Sequence, residues 1–92
     1  MPDEVRVKGP NDRLDYGVDY SGFLPADDAI TGAEWTAPAD LTISEPGMVD
    51  GVVHRAFVSG GEIGRTYRVT SRITTAQGRE REQSFYVLIL EG

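Results

Sequence analysis

The sequence predicts an all-β fold, a sandwich of about seven antiparallel strands, and three observations lead to it. Eleven glycines and five prolines interrupt the 92-residue chain every few residues. No window sustains the i, i+3, i+4, i+7 apolar pattern of an amphipathic helix. Short runs that alternate apolar and polar residues recur between the interruptions at regular spacing, which is typical of sandwich strands. An incomplete barrel is the alternative.

The first three predicted strands are short, and each is bounded by turn residues. The first covers residues 4–8 and ends at Gly9-Pro10-Asn11. The second, residues 13–20, alternates with period two, which gives it one apolar and one acidic face. Its apolar positions are Leu14, Tyr16, Val18 and Tyr20. The third strand covers residues 29–37 and is followed by a proline.

Four more strands are predicted toward the C-terminus. Leu41 and Ile43 mark a short strand, and the turn Glu45-Pro46-Gly47 is expected to end it. The last three strands are expected at residues 52–59, about 64–75 and 80–90. Gly60-Gly61 and the turn Ala76-Gln77-Gly78 separate these three strands.

Two aromatic residues narrow the sandwich to the immunoglobulin-like type. Trp35 lies in the middle of the third strand, a common position for the core tryptophan of such domains. Tyr67 follows a glycine-containing corner at the start of the penultimate strand, where a tyrosine corner would bond back to the preceding loop. We therefore predict a single immunoglobulin-like β-sandwich domain over residues 1–92.

The last predicted strand is apolar on both faces. Residues 85–90 read FYVLIL, and alternate side chains of a strand point to opposite sides of the sheet. If Phe85, Val87 and Ile89 point into the core, the next row points away from it. That row consists of Tyr86, Leu88 and Leu90. Something must cover it: the N-terminal segment, a neighbouring loop, or another protein.

The penultimate strand adds arginines to the same outward row. If its buried positions are Tyr67, Val69, Ser71 and Ile73, then Arg68 and Arg72 point outward, and the following turn adds Arg79 and Arg81. Aromatic, aliphatic and arginine side chains together are typical of protein interfaces. The predicted interface residues are Arg68, Arg72, Arg79, Arg81, Tyr86, Leu88 and Leu90. Coverage of this face within the monomer is the alternative.

Composition excludes several classes of function. The net charge of −6 disfavours non-specific binding to nucleic acid, and no segment is long and apolar enough for a membrane span or a signal peptide. We therefore expect a soluble intracellular product. Residues 1–50 carry three basic and eleven acidic side chains, a net −8, and residues 51–92 carry six and four, a net +2. This asymmetry suits head-to-tail packing, although chance clustering on a solvated surface explains it equally well.

Catalytic and metal-binding patterns are not found. The chain has no cysteine, and its single histidine, His54, is expected on a strand surface without partner residues. No serine lies in a nucleophile-elbow context. We predict no enzyme activity and no cofactor. Loop carboxylates could gather to bind Ca²⁺, but they lack EF-hand spacing. These are Asp19, Asp27, Asp28 and Asp50.

A set of motifs distributed from Val5 to Leu90 resembles the bacteriophage fibre–tail adaptor family. The motifs are Leu14-Asp15-Tyr16, Asp19-Tyr20-Ser21, Trp35, Ser59-Gly60-Gly61, Thr66-Tyr67 with Val69-Thr70, and Arg72-Ile73-Thr74-Thr75. Tyr20 departs from the tryptophan expected in relatives. Tyr86, Leu88 and Leu90 make the last strand more apolar than expected.

The resemblance implies a structural protein of the phage virion, made in the host bacterial cytoplasm and present in several copies as a homo-oligomer in the particle. It implies contacts with other virion proteins, such as tail, portal or fibre proteins. A capsid decoration protein is one alternative. A carbohydrate- or host-binding module is another, with loop tips that would contact a surface glycan. Those tips are Asp27, Asp28, Gln77 and Arg79.

Overall fold

A computed structural model of the protein describes residues 4–91. They form seven strands, β1 Glu4–Lys8, β2 Leu14–Asp19, β3 Ile30–Thr36, β4 Leu41–Val49, β5 Val53–Gly60, β6 Thr66–Thr75 and β7 Glu80–Ile89. The strands lie in two sheets, with the orders β1-β7-β6-β3 and β2-β5-β4. The predicted all-β sandwich is confirmed. Within this part of the chain, no helix has the length and apolar character needed to cross a membrane.

The core lies between the two sheets, and period-2 alternation of β6 and β7 determines which side chains enter it. Phe85, Val87 and Ile89 are buried, as predicted from the last strand. The alternate residues of β6 are buried as well, namely Tyr67, Val69, Ser71 and Ile73. The opposite sheet contributes Tyr16, Leu41 and Val58 to the same cluster. Strands β6 and β7 therefore each have one face in the core.

The predicted tyrosine corner is confirmed at Tyr67. The backbone N–H of Glu62 donates to the Tyr67 hydroxyl over 2.9 Å. The same hydroxyl donates to the Asp40 carboxylate over 3.1 Å. These two bonds connect the loop before β6 with the loop before β4, so they fix the path of the chain between the sheets.

Strand β4 is longer than predicted because Glu45-Pro46-Gly47 is a bulge and not a turn. The pairing of β4 with β5 shifts between Ser44 and Gly47, and Glu45 has φ of 49°. A bulge accommodates the missing N–H of a proline without ending the strand. The reversal comes at Asp50 and Gly51, which have φ of 54° and 72°. Positive φ at two successive residues is typical of a tight hairpin turn.

Strand β1 pairs with β7 in parallel, whereas the other four strand pairings are antiparallel. Val5 lies opposite Tyr86, and Val7 lies opposite Leu88. The sequence-based expectation was antiparallel strands throughout. The difference arises because β1 lies beside the last strand of the chain, while its successor β2 lies in the opposite sheet.

Candidate interaction surface

Strand β1 has its apolar side chains on the outside of the sandwich and its cationic side chains on the inside. Val5 and Val7 are each 58% exposed. Lys8 is only 1% exposed, and its Nζ donates to the carbonyl oxygen of Gly9 over 2.7 Å. The guanidinium of Arg6 lies 5.9 Å from the centroid of the Tyr16 ring. A strand on a core normally has the opposite arrangement, because its apolar residues gain most from burial.

The outward residues of β1, β6 and β7 form one continuous surface, which we call the outer β1–β7 face. Its members are Val5, Val7, Arg68, Tyr86, Leu88 and Leu90. Tyr86 lies between Val5 on one neighbouring strand and Arg68 on the other. Leu90 is 43% exposed, and its N–H donates to the carbonyl of Lys8 over 3.0 Å. Because β1 lies beside Tyr86 and Leu88 in the same sheet, it enlarges this apolar surface and does not cover it.

Sequence reasoning missed three exposed apolar residues at this end of the sheet. Val5 and Val7 alternate with charged residues in EVRVK, but that alternation does not show which face of which sheet they join. The third residue, Ile63, is exposed in the loop before β6. The N–H of Gly64 in this loop donates to the carbonyl of Ile89 over 2.7 Å, which places the loop next to the end of β7. No sequence signal marks Ile63.

Arg72 occupies the opposite, polar end of the same sheet surface. Its guanidinium bonds to the carboxylate of Glu80 and lies 3.4 Å from that of Glu82 and 4.0 Å from that of Glu34. The hydrogen bond and charge of Glu80, with smaller contributions from the other two carboxylates, raise the pKa of Arg72. This part of the surface is therefore internally paired, and the apolar part lies toward β1.

The structure does not bring Arg79 and Arg81 onto the outer β1–β7 face. Arg81 lies opposite Ile73, whose side chain is buried, so strand alternation places Arg81 on the inner side. Its guanidinium lies 4.9 Å from the centroid of the Phe23 ring. Arg79 follows the β6–β7 turn and bonds to Asp28 over 2.8 Å. Both arginines therefore contact the β2–β3 connection.

The four loop residues considered for a glycan do lie together, but their polar groups bond to one another. The N–H of Gln77 donates to the Asp28 carboxylate over 3.1 Å, and its side-chain amide donates to the carbonyl of Asp27 over 2.8 Å. Burial raises the pKa of Asp28, but hydrogen bonds from Thr75, Arg79 and two backbone N–H groups outweigh it and lower the pKa to about 2. These hydrogen bonds thus hold the β6–β7 turn against the β2–β3 connection.

The expectation that His54 lies on a strand surface is wrong. Its side chain is 2% exposed because it shares the inward face of β5 with Ala56 and Val58. The imidazole stacks on Trp35, and its Nδ1 lies 2.6 Å from the Ser71 hydroxyl. That hydroxyl is also 2.8 Å from the hydroxyl of Tyr20.

The titration behaviour of His54 follows from its position inside the sandwich. Burial lowers the pKa of the imidazole, so the neutral form is favoured. Among residues 4–91, no group of three or more histidine, cysteine, aspartate or glutamate side chains could hold a metal ion. The contacts of His54 with Trp35 and Ser71 instead connect the two sheets.

Comparisons with known proteins identify both the fold and the family. The solution structure of the PKD domain from KIAA 1837 protein superposes with a TM-score of 0.58 and 18% sequence identity, covering 99% of this chain and 82% of that chain. Identity this low shows the fold alone, and the fold is immunoglobulin-like, as predicted. No curated protein matches the chain. Residues 8–88 match the family model described as podophage GP4 fiber-tail adaptor protein gp77. Since this match covers most of the chain, the protein belongs to that fiber-tail adaptor family.

Proposed function

We propose that the protein is a structural connector of a phage virion that joins the tail or portal region to the tail fibres. Family membership supports this role, because the family is one of fiber-tail adaptors. The connection is made by protein–protein contacts, and the protein has no enzyme activity. In the particle it is present in several copies, in contact with other virion proteins.

One observation supports the outer β1–β7 face as a contact surface: the inverted arrangement of β1. Val5 and Val7 face outward although Arg6 and Lys8 occupy the inner side. Covering the valines together with Leu88 and Leu90 would remove this apolar surface from water. Arg68 of β6 lies opposite Tyr86 of β7. With Arg68, the face has the aromatic, aliphatic and arginine side chains that are typical of interfaces.

The expected strength of this contact explains why copy number matters. Fully burying one valine or leucine side chain stabilises by about 1.5–3 kcal/mol. Rigid association costs on the order of 4–15 kcal/mol. Four or five partly exposed side chains therefore give a weak contact between single molecules. When many copies are held together in one particle, their contacts act jointly and the assembly becomes stable.

The decisive experiment changes the outer β1–β7 face and measures incorporation into particles. A phage that carries Leu88→Asp with Leu90→Asp should yield purified virions from which this protein is lost at least tenfold, measured by quantitative mass spectrometry. Thr42→Asp is the matched control, because Thr42 is exposed on the other sheet. The isolated double variant should remain folded. Normal incorporation of the double variant would overturn the proposed contact surface.

Cross-linking of wild-type virions then tests which proteins are joined. We expect cross-links from this face to tail or portal proteins. We also expect particles of the double variant to lack fibres. Cross-links only to the capsid shell would instead identify a decoration protein. An isolated double variant that is unfolded would show that Leu88 and Leu90 belong to the core of the monomer.

A further inference from the structure

Strand β1 has a free edge at which another strand can pair. It lies at the end of its sheet, and β7 is its one neighbour in the part of the chain that the structure describes. The N–H of Leu90 donates to the carbonyl of Lys8 over 3.0 Å, so Lys8 directs its backbone groups toward β7. Successive residues of a strand direct these groups to opposite edges. Val5 and Val7 therefore direct their N–H and C=O groups to the free edge.

The other three end strands are less suited to such pairing. Strand β3 has a register shift between Ile30 and Gly32, and β4 carries Pro46 within its bulge. Bulges and prolines interrupt the row of backbone groups that an added strand needs. Strand β2 is regular, but Asp15 and Asp19 are exposed on one of its faces, so two copies of β2 would bring like charges together. Strand β1 has neither a register shift nor a proline.

The sequence of β1 is complementary to itself in the antiparallel direction. When two copies are aligned about Arg6, Val5 of each copy lies opposite Val7 of the other. These are the residues whose backbone groups face the free edge, so each of the two pairs exchanges two hydrogen bonds. The valine side chains meet on the outer side of the sheet, where each is 58% exposed in the single chain. The alignment thus forms four hydrogen bonds and brings four exposed valines into contact.

The charged residues of β1 favour the same register. Alignment about Arg6 places Glu4 opposite Lys8 of the second copy, which are opposite charges. Alignment about Val7 would place Arg6 opposite Lys8, which are like charges, and alignment about Val5 would pair only residues 4–6. The two Arg6 side chains lie opposite each other at the centre, but each has the Glu4 carboxylate of its own strand 2.7 Å away, which offsets their repulsion.

Pairing along β1 also joins two surfaces that are separate in the single chain. Val5 and Val7 form the border of the outer β1–β7 face, next to Tyr86 and Leu88. Beyond this border, the same rows of side chains continue in the second copy. The outer β1–β7 faces of the two copies therefore become one continuous apolar surface, with about twice the area of one.

We propose that two copies of the protein pair antiparallel along β1, about a two-fold axis at Arg6, so that two four-stranded sheets become one continuous sheet. The contact is isologous, because both copies contribute the same residues. The pairing deepens the proposed function and rests on it in one respect, namely that several copies are present in the particle. It is tested on the isolated protein, so its failure is distinguishable from a failure of the connector role, which is measured in virions.

Single cysteines test the register, because the chain has no cysteine of its own. The two Arg6 positions form a non-hydrogen-bonded pair with Cα atoms about 4.5 Å apart, within the range of a disulfide. The two Val5 positions are displaced by two residues, about 7 Å along the strands, and are too far apart for one. Under mild oxidation, Arg6→Cys should give mostly disulfide-linked dimer and Val5→Cys mostly monomer.

Thr42→Cys, on the other sheet, gives the background level of dimer from random collisions. A yield from Arg6→Cys no higher than this background would overturn the proposal. A higher yield from Val5→Cys than from Arg6→Cys would equally overturn it, because the copies would then pair in another register.

Sedimentation equilibrium measures the association without cysteines. The mean molar mass of the wild type should rise from that of one chain toward that of two as the concentration increases. Val7→Pro removes an N–H that faces the free edge, so β1 keeps its bonds to β7 while two of the four bonds between copies are lost. Its association constant should fall about tenfold.

Leu88→Asp with Leu90→Asp changes the outer β1–β7 face but not the free edge, so its association constant should stay within about twofold of the wild type. Association that depends on the two leucines and not on Val7 would contradict pairing along β1, and so would a wild type that is monomeric at every concentration. The cysteine comparison involves no proline and decides the question even if Val7→Pro does not fold.

Discussion

Trp35 and His54 stack with ring centroids 4.4 Å apart and an interplanar angle of 22°. Trp35 belongs to β3 and His54 to β5, so this contact joins the two sheets. The Nδ1 of His54 extends the bridge to the hydroxyl of Ser71 on β6. His54 and Ser71 are buried and Trp35 is partly buried, so the bridge is sensitive to the charge on the imidazole.

Stability should decrease as the pH falls below the ordinary histidine pKa of 6.5. Burial lowers the pKa of His54 in the folded protein, so the unfolded chain takes up the proton first. The contribution of neutral His54 is fully present above pH 6.5 and is lost progressively below it, down to the lowered folded pKa. Urea unfolding at pH 8, 7, 6 and 5 measures this slope. In His54→Phe, which keeps a stacking ring, the free energy of unfolding should change less with pH than in the wild type. An equal change with pH would show that His54 is not its source.

Replacing Asp28 by asparagine should destabilise the protein at neutral pH. The folded pKa of about 2 lies below the ordinary aspartate value of 3.8, so the ionised carboxylate stabilises the fold above pH 3.8. This contribution is lost as the pH falls through 3.8 toward 2. The difference in melting temperature between wild type and Asp28→Asn should therefore be larger at pH 7 than at pH 2.

Asp27→Asn is the matched control for that experiment. Asp27 takes part in the same cluster through its backbone carbonyl, which the substitution leaves intact. Its melting temperature should follow the wild type at both pH values. A difference between wild type and Asp28→Asn that does not change with pH would show that the carboxylate charge is unimportant.

Removing the hydroxyl of the tyrosine corner should lower the free energy of unfolding by about 1–3 kcal/mol. Tyr67→Phe loses two hydrogen bonds and leaves the N–H of Glu62 without its partner. Tyr86→Phe removes a hydroxyl from the half-buried outward row of the neighbouring strand and should change the free energy by less than about 0.5 kcal/mol. Urea unfolding at pH 7 compares the two variants. Equal effects would contradict a special role for the corner.

Alanine at Gly60 should destabilise more than alanine at Gly64. Both glycines have positive φ, 87° and 85°, so both substitutions introduce backbone strain of about 1–2 kcal/mol. A Cβ at Gly60 would lie 2.8 Å from the backbone oxygen of Asp40, whereas a Cβ at Gly64 meets no atom within 4 Å. The excess loss in Gly60→Ala, measured by thermal unfolding, reports the clash. Equal losses would show that the loop before β4 moves aside.

The alternation of apolar residues was sufficient to predict most of the fold. Period two along β6 and β7 identified their buried residues, and the position of Tyr67 identified the corner. The same signal was present for His54, which alternates with Ala56 and Val58, but an ionisable side chain was expected outside. Its burial depends on Ser71 and Trp35, which come from other strands and cannot be identified from local sequence.

Other features depend on tertiary contacts that a local pattern does not carry. The bulge at Glu45 requires a positive φ, which a glutamate in the sequence does not indicate. The side of the sheet taken by Arg81 follows from its register with Ile73, which only the structure gives. Likewise, the exposure of Val5 and Val7 follows from the parallel pairing of β1 with a strand about eighty residues later in the chain.

That parallel pairing has a consequence for synthesis. Residues 4–8 leave the ribosome about eighty residues before residues 85–89, beside which they lie in the sheet. During translation β1 therefore stays unpaired. The four-stranded sheet is completed only when β7 has been made. The outer β1–β7 face is therefore completed only after β7 has been made, and shortened translation products that end before β7 would lack it.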